Sequence, residues 1–122
     1  MRMKENVVKQ KSFAFALRVV KLAKYLQGEK KEFVLSRQVL RSGTAIGALV
    51  REAEHAESKA DFTHKMNIAL KEANETLYWL DLLHQAEYIA DQSFVSIRLD
   101  NEELLKLLVA IVKTSREGTH AN

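Results

Sequence analysis

Apolar residues recur along this chain at alternating steps of three and four residues, which is the spacing of one face of an α-helix. A first helix is predicted from Lys4 or Ser12 to Leu26, with Gly28 as its stop signal. A second helix is predicted over residues 33–56. The predicted core positions of the first helix are Phe13, Ala16, Val20 and Ala23, joined by Phe15, Val19 and Leu26.

The second predicted helix carries small residues in its apolar stripe. Gly43 and Gly47 form a GxxxG pattern, and each glycine costs a helix about 1 kcal/mol relative to alanine. We expect another helix to approach closely there and offset this cost, and we treat both glycines as candidate oligomer-interface residues. The stripe itself consists of Leu35, Val39, Ser42, Ile46, Leu49, Ala53 and Ala56.

The third and fourth helices complete an all-α pattern. Ser58 and Asp61 predict the start of the third helix, in a variant of the capping box with Asp in place of Glu. A fourth helix is predicted over 91–116, in a single domain over 1–118, with a disordered tail over 119–122. Short connections predict an antiparallel up-down-up-down four-helix bundle. The stripe of the third helix is Phe62, Met66, Ala69, Ala73, Thr76, Leu80 and Leu83.

Charge is distributed unevenly along the 122 residues. Residues 1–31 hold nine Lys/Arg and two Glu, a net charge of +7, whereas the remaining residues hold ten Lys/Arg and fourteen Asp/Glu. A basic arm of this kind can attract a polyanion, although a solvated helix face has the same composition. The candidate nucleic-acid-binding residues are Lys11, Arg18, Lys21, Arg37, Arg41 and Lys59.

Arg37 and Arg41 are the most specific of these candidates. They are four residues apart and therefore share a helix face. A guanidinium suits bidentate phosphate contacts. The alternative is that the cations form ion pairs with the many glutamates, and no motif for base-specific recognition is present.

Sequence motifs for catalysis are absent. The chain has no cysteine, no phosphate-binding glycine loop and no nucleophile elbow. Three carboxylate–histidine spacings resemble those of di-iron bundles, but their helical phase argues against all three, because at best they flank the apolar stripes without facing the core. We therefore expect no metal, no cofactor and no enzymatic activity. These pairs are Glu52/His55, Asp61/His64 and Asp81/His84. Without an apolar run of about 18 residues or a signal peptide, we expect a soluble cytoplasmic protein with no membrane partner.

Two adjacent aromatic residues, Tyr78 and Trp79, allow two interpretations. Trp79 can flank the core while Tyr78 directs its hydroxyl to water. Alternatively, both belong to a subunit interface, where Tyr and Trp are enriched. Together with Gly43 and Gly47, they favour self-association.

Ordered motifs along nearly the whole chain resemble the four helix bundle protein family, also called the 23S rRNA-intervening-sequence protein family. They include Arg41-Ser42-Gly43-Thr44, Ile46-Gly47-Ala48, Arg51-Glu52-Ala53, Ser58-Lys59-Ala60-Asp61-Phe62 and Ile68-Ala69-Leu70-Lys71-Glu72-Ala73-Asn74. The resemblance implies an antiparallel bundle that assembles as a homopentamer and has no established enzymatic activity. A related accessory protein of diversity-generating retroelements is a basic pentamer that binds nucleic acid and a reverse transcriptase. Ala45 and Leu49 depart from the family pattern, which has Ser and Asn there.

Two functional hypotheses follow. The first is a non-enzymatic oligomeric bundle, by resemblance a pentamer, that binds RNA or DNA through phosphate contacts. The second is a protein-interaction scaffold with a protein partner and no nucleic-acid role. Salt-dependent binding to nucleic acid distinguishes them, because neutralising phosphates releases counterions.

Overall fold

A computed structural model describes the backbone of residues 2–121 and the side chains of residues 3–118. The four predicted helices are confirmed, and the described residues form no strand. The helices are α1 (Arg2–Gly28), α2 (Leu35–Glu54), α3 (Lys59–Gln85) and α4 (Asp91–Ala121).

All four helices contribute to one apolar core. The α3 stripe is buried as predicted from Met66 to Leu83, with Phe62 half-buried at its start. The α1 prediction is confirmed in part: Phe15, Val19, Ala23 and Leu26 are buried, whereas Phe13 is 52% exposed and was wrongly placed in the core. The run Phe-Ala-Phe-Ala fits either phase, so more distant positions decide which face is buried. The buried side chains of α1 are Val8, Ser12, Phe15, Val19, Ala23 and Leu26.

Helices that follow each other in sequence also pack against each other, and α1 contacts α4. Polar contacts show how they align. Thr76 of α3 lies 2.8 Å from Ser42 of α2 through their hydroxyl oxygens, and Lys65 of α3 pairs with Glu52 of α2. Residue numbers therefore rise along one helix as they fall along the other. The same relation holds between α3 and α4 and between α1 and α4.

The close helix approach expected at the two glycines occurs within the chain, between α2 and α1. A Cβ atom added to Gly43 would lie 2.8 Å from both γ-carbons of Val19. One added to Gly47 would lie 3.4 Å from the backbone carbonyl oxygen of Ser12. Gly43 is buried by this contact. The small residues of α2 thus bring α1 close along the middle of the helix pair.

The carboxylate of Glu32 caps α2. Its Oε2 accepts the backbone N–H groups of Val34 (3.2 Å) and Leu35 (3.0 Å), and its Oε1 accepts that of Ser36 (2.8 Å). Burial alone would raise the pKa of Glu32, but the three N–H groups outweigh it and lower the pKa. Lys31 has a left-handed φ of 55°, which turns the chain into this cap. The predicted start at Phe33 missed the cap because Glu is not a usual N-cap residue.

Glu32→Gln is expected to lower the free energy of unfolding by about 1 kcal/mol at neutral pH, the usual contribution of a helix cap. The pKa of Glu32 is lowered by folding, so its contribution is present above the unfolded pKa and is lost as the pH falls through the folded value. Chemical denaturation at pH 7 and at about pH 3 should therefore show the difference shrinking in acid. Glu29→Gln, at an exposed neighbour, is the control. A difference that does not change with pH would contradict the charged cap.

The remaining helix ends agree with the sequence in part. Ser58 caps α3 as predicted, accepting the N–H of Asp61 at 3.0 Å. Asp61 accepts the N–H of Glu57 (3.1 Å), one residue before the position that a capping box uses. α4 continues to Ala121, beyond its predicted end, and Ser115 is buried against α3 with its hydroxyl bonded to Thr63. Residue 122 of the predicted tail lies outside the described residues.

Candidate nucleic-acid interface

Exposed cations cluster where α1 ends and α2 begins. Residues 18–41 hold seven Lys/Arg and two Glu, and one of those glutamates, Glu32, is engaged as the cap of α2. Five of the cations are exposed and form no ion pair within the described part of the chain. We call this set the basic end; its members are Lys21, Lys24, Lys30, Lys31 and Arg37.

The fold places these residues at the same end of the bundle. Lys21 and Lys24 occupy the last two turns of α1, and Arg37 occupies the first turn of α2. Gln27 donates from Nε2 to the hydroxyl of Ser36 at 3.1 Å, which joins the two helices beside the turn. The basic end is therefore held by secondary structure on both sides of a short connection.

The predicted cations fall into two groups. Lys21 and Arg37 belong to the basic end, and Lys59 is exposed at the first turn of α3. Lys11 instead pairs with Glu103 (2.9 Å). Partners on α4 also hold Arg18, because its guanidinium contacts Asp100 (2.7 Å) and Ser96 (3.1 Å).

Arg41 is committed to an interhelical network rather than to solvent. Its guanidinium contacts Glu72 at 3.1 Å and Glu75 at 2.5 Å, and these two carboxylates raise its pKa. Hydrogen bonds from Trp79 and from Arg41 lower the pKa of Glu75. The pairing alternative therefore describes Arg41, while Arg37, four residues earlier, stays exposed.

The carboxylate–histidine spacings take part in other contacts. Asp81 accepts from Nε of Arg98 at 3.0 Å, and together with Glu102 it raises the pKa of Arg98. His84 lies 2.7 Å from Asp91 through Nε2 and stacks on Phe94, with ring centroids 4.0 Å apart. Among the described residues, no group of three or more His, Asp or Glu side chains is placed to hold a metal ion.

Sequence reasoning missed a groove between α1 and α4. The groove has a volume of about 470 Å³. Its α1 wall includes Arg18, Lys21 and Tyr25, and its α4 wall includes Ser93 and Ile97. A signal for it was available, because the three α1 residues follow a spacing of three and four and share one helix face.

A family model of the 23S rRNA-intervening sequence protein matches residues 4–110. The chain belongs to that family. It is also similar to a crystal structure of a protein of unknown function from the S23 ribosomal protein family of Bacteroides thetaiotaomicron VPI-5482, with 60% sequence identity and a TM-score of 0.89. That match covers 90% of this chain and 98% of the other. No curated protein matches. The predicted family is confirmed, and the comparisons assign no activity.

Leu49 stands where the resemblance to the family implies Asn. Its side chain is half-buried and packs against the core. The departure therefore extends the apolar stripe of α2. Ala45 is half-buried on the same helix.

The four predicted interface residues of this family member occupy different environments. Gly43 and Gly47 pack against α1 of the same chain. Trp79 flanks the core and donates from Nε1 to Glu75 at 2.9 Å, while Tyr78 is 59% exposed. Of the four, Tyr78 offers the largest surface to a partner.

Charged residues interrupt the apolar stretches of the four helices. Within the described residues, none has an apolar stretch of the length that crossing a bilayer requires.

Proposed function

We propose that this protein is a non-enzymatic, oligomeric helical protein that binds nucleic acid through phosphate contacts. The observation that carries the proposal is the basic end, where five exposed cations have no ion-pair partner within the described residues. A cluster of unpaired cations attracts a phosphate backbone without reading its sequence. Binding of this kind needs no catalytic group.

The proposed architecture is an antiparallel up-down-up-down bundle that assembles as a homopentamer. The opposed numbering of helix contacts supports the topology, and the family resemblance implies the pentamer. Self-association is further supported by large apolar side chains on outer faces, including Tyr78, Val95 and Leu99. Several basic ends in one assembly would raise the avidity for a polyanion without new contacts. Light scattering coupled to size exclusion tests the pentamer, and a monomer at micromolar concentration would contradict it.

The test of nucleic-acid binding is a fluorescence-anisotropy titration with short RNA and DNA, single- and double-stranded, across a salt series. Lys21→Gln combined with Arg37→Gln is expected to weaken binding about 10-fold or more and to reduce the salt slope by about 2, because two phosphate contacts are lost. Arg41 is left unchanged, since removing it would also break its pairs with Glu72 and Glu75.

A control for net charge is available on the other helices. Lys71→Gln combined with Lys113→Gln removes the same charge from exposed positions of α3 and α4. This pair is expected to change the affinity by less than about 2-fold at moderate salt, where distant charges are screened. Absence of binding at low salt, or equal losses in both double variants, would overturn the proposal.

A protein-interaction scaffold is the second candidate function, and the exposure of Tyr78 favours it. The Tyr78 ring lies edge-on to that of Trp79, with centroids 5.0 Å apart, so the outer face of α3 presents aromatic surface. Affinity capture should then recover a stoichiometric protein, and Tyr78→Ala should weaken the capture. Recovery of the bait alone would count against a scaffold.

A further inference from the structure

The groove between α1 and α4 is lined by cations, an aromatic ring and apolar side chains. Lys21 is exposed and unpaired within the described part of the chain, and Tyr25 is 43% exposed. Leu22 and Ile97 supply apolar lining, and Ser93 adds a hydroxyl on the α4 side. The volume of about 470 Å³ lies within the range of small-molecule sites.

We propose that this groove binds one nucleotide unit, with the phosphate at Arg18 and Lys21 and the base against the ring of Tyr25. The inference rests on the proposed function and adds to it a preference for single strands. Each base has an aromatic face, but in a duplex that face is covered by its neighbours. Stacking of a base on an aromatic side chain contributes about 1–3 kcal/mol and tolerates any sequence.

Spacing along α1 supports this assignment. Lys21 lies three residues after Arg18 and four before Tyr25, so the two cations and the ring are neighbours on one helix face. A guanidinium donates two parallel hydrogen bonds to the oxygens of a phosphate, and an ammonium adds a flexible point charge. Cations beside an aromatic ring are the combination used by proteins that bind single strands without sequence preference.

Asp100 competes with the phosphate for Arg18. It lies 2.7 Å from the guanidinium, but the side chains of the pair are 39% and 47% exposed. An ion pair exposed to this degree contributes about 0–1 kcal/mol, so a phosphate can displace the carboxylate. Asp100 therefore weakens anion binding in the groove, and removing its charge should strengthen that binding.

The test uses the full chain and a labelled single-stranded oligouridine, an RNA duplex of equal length, uridine monophosphate and inorganic phosphate. Tyr25→Leu is expected to weaken binding of the single strand about 10-fold without changing the salt slope, since stacking involves no counterion. Phe13→Leu, at an exposed aromatic residue of α1 that does not line the groove, is the matched control and should bind as wild type. Tyr25→Phe keeps the ring and should also bind as wild type, which separates stacking from loss of folding.

The carboxylate variants test the second half of the inference. Asp100→Asn is expected to tighten binding of the single strand about 3-fold, an effect of the size of an exposed ion pair. Asp81→Asn removes the same charge from the pair with Arg98 and should have a smaller effect. Equal effects of the two variants would overturn the role of Asp100, because they would reflect net charge alone.

Competition distinguishes the sources of the nucleotide. Displacement of the oligouridine by uridine monophosphate but not by inorganic phosphate supports a site for the nucleotide, free or in a strand. Displacement by both equally would overturn the base contact. If Tyr25→Leu binds single strand and duplex as wild type does, the groove inference fails while phosphate binding stands. If uridine monophosphate binds and no polynucleotide does, the groove stands and the proposed function fails.

Discussion

Gly43→Ala is expected to lower the free energy of unfolding by about 1–2 kcal/mol, whereas Gly47→Ala should leave it unchanged or raise it by up to about 1 kcal/mol. Alanine is the better helix former at both sites, so helix propensity alone predicts stabilisation twice. The opposite sign at Gly43 comes from what the new methyl group would meet.

At Gly43 that methyl group would lie 2.8 Å from both γ-carbons of Val19, well inside van der Waals contact. Val19 is fully buried, and a β-branched side chain in a helix has one strongly preferred rotamer. The contact cannot be relieved without moving α1 away from α2. At Gly47 the nearest atom is the carbonyl oxygen of Ser12 at 3.4 Å, which is an ordinary contact.

A double-mutant cycle in chemical denaturation isolates the contact. Val19→Ala alone should destabilise the chain by about 2 kcal/mol or more, because it opens a cavity in the core. In that background Gly43→Ala should cost less or become stabilising, giving a coupling of about 1 kcal/mol or more. Additive effects would show that Gly43 is not limited by Val19.

Periodicity predicted α3 well because its apolar positions admit one phase, from Met66 to Leu83. In α1 it predicted the buried Phe15 and Val19 but also placed Phe13 in the core, because Phe13 and Phe15 offer two competing faces and only tertiary packing selects between them. Phe13 is instead exposed beneath the guanidinium of Arg51, whose Cζ lies 5.3 Å from its ring centroid. Local spacing is thus enough to predict that a helix forms. Which face of a helix with two possible apolar stripes is buried depends on the helices that pack against it.

The candidate site, like the fold, could be predicted from the sequence only in part. The sequence identifies which residues are cationic, and the structure adds that Lys21 and Arg37 are exposed. The sequence could not foresee that Arg41 meets Glu72 and Glu75, residues more than thirty positions away. Ion pairs between helices depend on rotation and height, which no local pattern specifies. The groove beside Tyr25 also depends on packing between helices, since Ser93 and Ile97 of its lining come from α4.

Asn101→Leu is expected to raise the free energy of unfolding by about 1–3 kcal/mol. Asn101 is 0% exposed in the middle of α4, and neither its Oδ1 nor its Nδ2 has a hydrogen-bond partner in the described part of the chain. A buried amide in this state has lost its hydrogen bonds to water without replacing them. Leucine has the same branching at Cγ and suits a stripe that continues through Leu104 and Leu108.

Thermal or chemical denaturation measures the gain, with Asn74→Leu on the exposed face of α3 as the control. The control should change stability by less than about 0.5 kcal/mol, as is usual for surface positions. Asn101→Asp should destabilise the chain, because a buried unpaired charge costs more than an amide. Loss of stability in Asn101→Leu would contradict the prediction. It would mean that the amide of Asn101 has hydrogen-bond partners, which the substitution removes.

If Asn101→Leu is more stable than the wild-type chain, the asparagine is kept in the core for a reason other than stability. In helical assemblies a buried asparagine can fix register and oligomeric state at the expense of stability. Because Asn101 is buried within one chain, Asn101→Leu should then lose a unique helix register, seen as additional sets of amide signals in NMR, while the wild-type chain shows one set. A single unchanged state in the stabilised variant would show that Asn101 does not set the register of the helices. The close contact between Gly43 and Val19 would then be the candidate for that role.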